Sequence, residues 1–175
     1  MNNELASLRR IDFREGAPCG DDFPENEGAK LVIQDDLMSE TDKNMINIFT
    51  RASHHRNLSV FFLTQNLFYK GLRDISLNSN YIVVFKNPRD RAQIAHFARQ
   101  IWPQNARFVQ VAYNDISLKA HGYLLFDLKQ NTPENCRVRT NIFPDDQFTV
   151  VYVPSDSSKC IKSSSASNNL PVWRL

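Results

Sequence analysis

The amino-acid sequence predicts an α/β protein with a mostly parallel sheet and flanking helices. Apolar runs typical of buried strands alternate with stretches in which apolar residues recur at helical spacing, and this alternation favours parallel pairing. The clearest strand signals are LVIQ (31–34), LSVFFLT (58–64) and NYIVVFK (80–86), and the second is apolar enough to be covered on both faces. Because open parallel sheets carry their sites at the carboxyl ends of strands, functional residues are expected at these ends.

Further helices and strands are predicted between and after these three strands. Ser39 or Thr41 can cap a helix that runs to about Ser53. The sequence Asn87-Pro88-Arg89-Asp90 supplies a cap, a proline for the first helical position and an early acid, so a second helix is expected there. A further helix and three further strands are predicted, the last of them an edge strand, at about 104–116, 122–128, 136–143 and 148–153.

Three regions are expected from these patterns. Residues 1–29 form a polar leader, residues 30–154 carry the strands and helices, and residues 155–175 form a serine-rich tail that is expected to be disordered. Within the middle region the aromatic residues Phe61, Phe62 and Tyr81 are expected in the core, not on a surface that stacks nucleic-acid bases.

The composition restricts the class of protein. The 175 residues include 42% hydrophobic and 23% charged residues, which is typical of one soluble domain. A net charge of +2 means that any nucleic-acid surface would have to be local. Three cysteines without CxxC spacing fit a reducing compartment, and no apolar run approaches the roughly 20 residues of a membrane span. An intracellular protein with no membrane partner is therefore expected.

Asp35 and Asp36 follow the LVIQ strand directly and raise the first question of function. A buried strand seldom ends in two like charges. Each charge costs several kcal/mol to desolvate unless an opposite charge or hydrogen bonds compensate it. One interpretation is a solvated turn. The other is a metal–water site in which one carboxylate holds Mg²⁺ and the next orients the attacking water.

Gln65 and Asn66 close the second strand and allow two interpretations. Amide side chains of this kind cap strand ends and turns. Alternatively, an amide at this position can contact both a terminal phosphate and the attacking water. A phosphate-binding loop of the form GxxxxGK[ST] is absent, because the five glycines are isolated from one another.

Several segments together resemble the viral genome-packaging ATPases of the FtsK/HerA superfamily, of the type found in Polinton elements, adintoviruses and poxvirus-like viruses. The resemblance runs from about Gly16 to Pro154, and its most specific parts are HHRNLSVFFLTQN and NYIVVFKNPRD. The other segments are LVIQDDL, ARQIWP, GYLLFDL and RTNIFP. The resemblance implies part of a P-loop NTPase fold, RecA/FtsK-like, from the Walker B strand onward.

The resemblance also implies roles for particular residues. Asp35 would be the Walker B acid on the Mg²⁺ side, binding through water, and Asp36 would be the catalytic acid. Gln65 would be the polar sensor, with Asn66 beside the nucleotide. The arginine that reaches into a neighbouring subunit would be Arg73, with Arg56 and Arg51 as the alternatives.

The function expected from the resemblance is ATP hydrolysis with Mg²⁺ that drives duplex DNA into a capsid. Because the Walker A loop is absent, the chain is expected to be a C-terminal half, inactive alone, that works in a homo-oligomeric ring or with a partner carrying the Walker A half. Its other partners would be capsid components. Two alternatives remain open: a non-catalytic interaction subunit or inactive remnant, and a metal-dependent nuclease that uses Asp35 and Asp36.

Overall fold

The protein is a mixed α/β protein with one small parallel sheet and one larger, mainly antiparallel sheet. The chain divides into two compact units: residues up to Gln65 together with 69–75, and residues 66–68 together with those from Ser76 onward. The computed structural model describes residues 11–16, 18, 22–23, 28–35, 46–49, 57–68, 72–89, 91–154 and 172–174.

The first unit contains two parallel strands, which confirms both predicted strands. They are β1 (Lys30–Asp35) and β2 (Leu58–Leu63). Lys30 lies opposite Leu58 and Asp35 lies opposite Leu63, so the strands start and end together. Residues 46–49 are helical, in agreement with the helix predicted there, and helix α1 (Leu72–Asn78) follows β2.

One face of this small sheet is buried. Phe62 on that face packs edge to face against Phe49, with ring centroids 6.3 Å apart. Leu72 and Ile75 of α1 are buried in the same cluster, which anchors the start of the helix. The remaining members of the cluster are Phe23, Val32, Ile46, Ile48, Leu58 and Val60.

The opposite face of the sheet is exposed, so the prediction that LSVFFLT is covered on both faces is wrong. Side chains alternate along β2 between covered and exposed, and Phe61 is 58% exposed. Its opposite residue in the register, Ile33, is exposed as well. An apolar run indicates what would gain from burial, but an outer layer must exist before the run can be covered on both sides.

The second unit is a five-stranded sheet with two helices on one face. Its strands lie in the order β3-β4-β5-β6-β7. The elements are β3 (Tyr81–Phe85), α2 (Ala92–Ile101), α3 (Ala106–Ile116), β4 (Tyr123–Asp127), β5 (Val138–Thr140), β6 (Val150–Val153) and β7 (Val172–Arg174). The three pairs from β3 to β6 are antiparallel and only β6–β7 is parallel.

This topology corrects the predicted mostly parallel sheet, although the α/β class itself is confirmed. β4, β5 and β6 are joined by short connections, and parallel neighbours require a crossover of a dozen or more residues. The strand NYIVVFK therefore belongs to a different sheet from LSVFFLT. Helix α2 also begins later than predicted, because the Asn87 Oδ1 atom accepts a hydrogen bond from the Arg89 backbone N–H at 3.0 Å and forms a turn before it.

The end of the chain departs from its expected disorder at one point. Residues 172–174 form β7 against β6, so β6 is not the edge strand that the sequence predicted. Residues 155–171 lie outside the described part of the chain. Within the described ranges, no helix is long and apolar enough to cross a membrane.

Helices α2 and α3 cover one face of the larger sheet and form its core. Phe97 of α2 meets Phe126 of β4 edge to face, with centroids 5.0 Å apart. Tyr113 of α3 is buried with its hydroxyl at the end of β3, where it accepts a hydrogen bond from the Asn87 N–H at 2.7 Å and lies 3.3 Å from the Phe85 carbonyl oxygen. These contacts hold β3 firmly against the helical layer.

Candidate functional site

Two of the predicted site residues come together at the carboxyl edge of the small sheet. Asp35 is the last residue of β1 and lies opposite Leu63, the last residue of β2. Gln65 lies two residues beyond the end of β2, and the side chains of Asp35 and Gln65 are both exposed. Because the strands are parallel and in register, an acid and an amide leave the sheet at the same edge.

Asp35 suits a magnesium ion chemically. Mg²⁺ is held by oxygen ligands, usually one or two carboxylates completed by water and substrate phosphates. Asp36, Arg51 and Arg56 lie outside the described residues. The described part of the chain contains no cluster of three or more His, Cys, Asp or Glu side chains that could hold a metal ion by themselves.

Gln34 is a residue of this edge that sequence reasoning missed. Its side chain is only 4% exposed, on the buried face of β1 opposite Phe62, and neither Oε1 nor Nε2 has a hydrogen-bond partner. A buried polar group without a partner costs about 1–3 kcal/mol. The signal in the sequence that could have identified Gln34 is that it is the single amide in the apolar run LVIQ. Its position next to Asp35 places an unsatisfied donor and acceptor beside the strand end.

The side chain of Asn66 stabilises a turn, which is one of the two interpretations that the sequence allowed. Its Oδ1 atom accepts a hydrogen bond from the Phe68 N–H at 2.9 Å. The next backbone N–H, of Leu67, donates to Oε1 of Gln93 at 3.0 Å. Asn66 also belongs to the second unit, whereas Asp35 and Gln65 belong to the first. The amide oxygen of Asn66 is therefore engaged in shaping the chain after β2.

Arg73 lies in the first turn of α1 with its side chain exposed. Leu72 and Ile75 on the same helix are buried in the cluster of the first unit, so the start of the helix is fixed there. An arginine that acts on a neighbouring subunit must be exposed in this way. The exposure of the Arg73 side chain meets this requirement.

A second polar cluster, which the sequence did not predict, surrounds Asp127 at the end of β4. The Asp127 carboxylate is buried, pairs with the Arg139 guanidinium through Oδ2, and accepts a hydrogen bond from the Thr132 hydroxyl at 2.9 Å through Oδ1. Arg137 donates to the Lys129 carbonyl oxygen at 2.9 Å and to the Asp127 carbonyl oxygen at 3.1 Å. These bonds hold the loop between β4 and β5, and a carboxylate so fully paired has a structural role.

Comparison of the chain with protein-family models, curated proteins and solved structures finds no match. Similarity therefore assigns no family. The likeness to packaging ATPases depends on sequence segments alone, chiefly HHRNLSVFFLTQN and NYIVVFKNPRD.

Proposed function

We propose that this chain supplies the Walker B and sensor portion of an FtsK/HerA-type ATPase that moves duplex DNA. The observation that carries the proposal is the parallel, in-register pairing of β1 with β2, which brings Asp35 and Gln65 to one edge of the sheet. In a P-loop NTPase, the acid and the sensor occupy this edge of neighbouring strands.

Each residue has a defined task in this proposal. Bound Mg²⁺ would neutralise charge on the β- and γ-phosphates of ATP. Asp35 would hold the ion through a water molecule, and Asp36 would orient the attacking water and accept its proton. Gln65 would contact the γ-phosphate and the same water, so that its position would depend on whether ATP has been hydrolysed.

The remaining machinery lies outside these 175 residues. No GxxxxGK[ST] loop occurs among them, so the backbone N–H groups and lysine that hold the phosphates would be supplied by a segment that carries the Walker A loop. The exposed Arg73 would complete a site in a neighbouring subunit of a ring. Duplex DNA and capsid components are the substrates and partners that this assembly implies.

The proposal is tested by steady-state ATP hydrolysis with the full chain mixed with a polypeptide that carries the Walker A strand, loop and helix. Mixing should restore hydrolysis. Asp36→Asn should abolish it, whereas Asp35→Asn should raise the Mg²⁺ concentration required. Glu15→Gln, which removes an exposed acid far along the sequence from the strand end, is the matched control and should change nothing. Restored activity that is indifferent to both aspartate substitutions would refute the proposed roles.

The exposed apolar face of the small sheet favours a second candidate, a non-catalytic interaction subunit. Leu31, Ile33, Phe61 and Leu63 form this face, which suits a partner protein better than water. In that case the motor would assemble normally with Asp35→Asn and Asp36→Asn combined and would fail to assemble with Phe61→Ser. The catalytic proposal expects the double aspartate variant to assemble and to lose hydrolysis.

A further inference from the structure

Strand β3 exposes aromatic and apolar side chains along one face. Tyr81 is 49% exposed and Phe85 is 62% exposed, with Val83 exposed between them. The alternating residues Ile82 and Val84 pack into the core on the helical side. The expectation that Tyr81 is a core residue is therefore wrong. Leaving a large aromatic side chain in water forgoes about 1.5–3 kcal/mol of burial, so this face is a strong candidate for a binding surface.

The exposed rings are held in place by a buried one. The rings of Phe85 and Phe143 both pack against the Tyr123 ring, with centroids 6.1 and 5.6 Å from its centroid. Tyr123 is buried, and its hydroxyl oxygen accepts a hydrogen bond from the Ile142 N–H at 2.9 Å. Phe143 is itself 59% exposed. Phe85 and Phe143 therefore contact a fixed ring while more than half of each side chain stays exposed.

Positive charge lies at both ends of the same strand. The Lys129 Nζ atom is 4.9 Å from the centroid of the Tyr81 ring. At the other end Lys86 follows Phe85 directly and donates to the Lys119 carbonyl oxygen at 3.4 Å. The only acid in β3 or β4 is Asp127, and its carboxylate is paired with an arginine. Next to Phe143 the Asp146 carboxylate accepts a hydrogen bond from the Phe143 backbone N–H at 3.0 Å, so the positive charge suited to an anionic chain lies at the two ends of β3, beside Tyr81 and Phe85.

We propose that this surface, made of Tyr81, Phe85 and Phe143 with Lys86 and Lys129, binds single-stranded nucleic acid. Aromatic rings stack on any base, and lysines contact phosphates without reading sequence. A ring stacks on a base only where that face of the base is not covered by a neighbouring base, and inside a duplex both faces of each base are covered. The surface therefore suits a single strand and not a duplex. The surface does not involve Asp35 or Gln65, so it is independent of ATP hydrolysis.

Fluorescence anisotropy of a labelled single-stranded oligonucleotide of mixed sequence, titrated with the full chain at several salt concentrations, tests the proposal. Phe85→Leu keeps apolar surface but removes the ring, and should weaken binding about 5- to 100-fold. Phe85→Tyr should retain binding. Leu77→Ala removes an exposed apolar side chain from α1 and should leave the affinity unchanged. Lys129→Gln should reduce the salt slope by about 0.7.

Circular dichroism of each variant checks that the fold is intact. The proposal is overturned by equal affinity for a duplex of the same length, by no binding at low salt, or by unchanged affinity of Phe85→Leu. Sedimentation that shows a dimer disrupted by Phe85→Leu, with no oligonucleotide bound, would also overturn it and would assign the face to a second copy of the chain.

Discussion

The Tyr152 hydroxyl donates a hydrogen bond of 2.5 Å to Oδ2 of Asp115 and thereby joins β6 to α3. The pKa of Tyr152 is raised above its ordinary value. Burial of the hydroxyl is the larger cause, and the hydrogen bond to Asp115 is the second. The neutral phenol is therefore favoured in the folded state. The resulting stabilisation is complete below the unfolded-state pKa of about 10 and is lost as the pH rises toward the folded-state value.

Tyr152→Phe should accordingly flatten the stability of the protein in alkali. The free energy of unfolding, measured by urea denaturation, should fall less between about pH 9 and 12 than in the wild type. At neutral pH the variant should lose about 1 kcal/mol, because Asp115 is exposed and can be hydrated instead. In Asp115→Ala most of the fall in unfolding free energy at alkaline pH should remain, because burial is the larger cause of the raised Tyr152 pKa. An unchanged alkaline slope in Tyr152→Phe would contradict the assignment.

Gly122 permits a close approach between the end of α3 and the start of β4. A Cβ atom at this position would lie 1.9 Å from the backbone oxygen of Ile116, and the Gly122 carbonyl oxygen accepts a hydrogen bond from the Lys86 N–H at 2.7 Å. Gly122→Ala should therefore destabilise the second unit by about 1–3 kcal/mol or more, visible as a lower melting temperature. Gly28→Ala meets nothing within 4 Å and should be neutral. Equal melting temperatures for both variants would show that the backbone adjusts freely.

Neighbouring residues of β2 should respond in opposite ways to the same substitution. Phe61 is on the exposed face, so Phe61→Ser should reduce self-association in sedimentation experiments and leave the melting temperature nearly unchanged. Phe62 packs against Phe49 in the core, so Phe62→Ser should lower the stability of the first unit by about 3 kcal/mol. Loss of stability in Phe61→Ser as large as in Phe62→Ser would mean that the outer face is also buried in solution.

The isolated chain should neither bind ATP tightly nor hydrolyse it. Without the glycine-rich loop there is no nest of N–H donors and no lysine for the triphosphate. Isothermal titration calorimetry with Mg²⁺ and ATP should show no binding in the micromolar range, and the steady-state rate should equal that of buffer. ATP turnover by the chain alone that disappears in Asp36→Asn would contradict this prediction.

The positions of most strands followed from the sequence because strand formation has a local signal. LVIQ, LSVFFLT, NYIVVFK and the later apolar runs all lie on observed strands. β-branched and aromatic residues bounded by turn-forming residues indicate an extended, partly covered chain wherever they occur. The sequence also placed Asp35 and Gln65 at the carboxyl ends of their strands, and the parallel, in-register pairing of β1 with β2 then brings those two ends to the same edge.

The pairing of strands and the exposure of their faces were decided by tertiary structure. An apolar run does not indicate which strand it will pair with, and β3 pairs with β4 instead of joining β2. Nor does an apolar run indicate whether a second layer covers its outer face. Phe61 and Tyr81 were therefore expected in the core, although both are exposed. The three-residue strand β7 depends on the neighbouring β6 edge to satisfy its backbone groups, since a strand so short has too few hydrogen bonds of its own to persist without a partner.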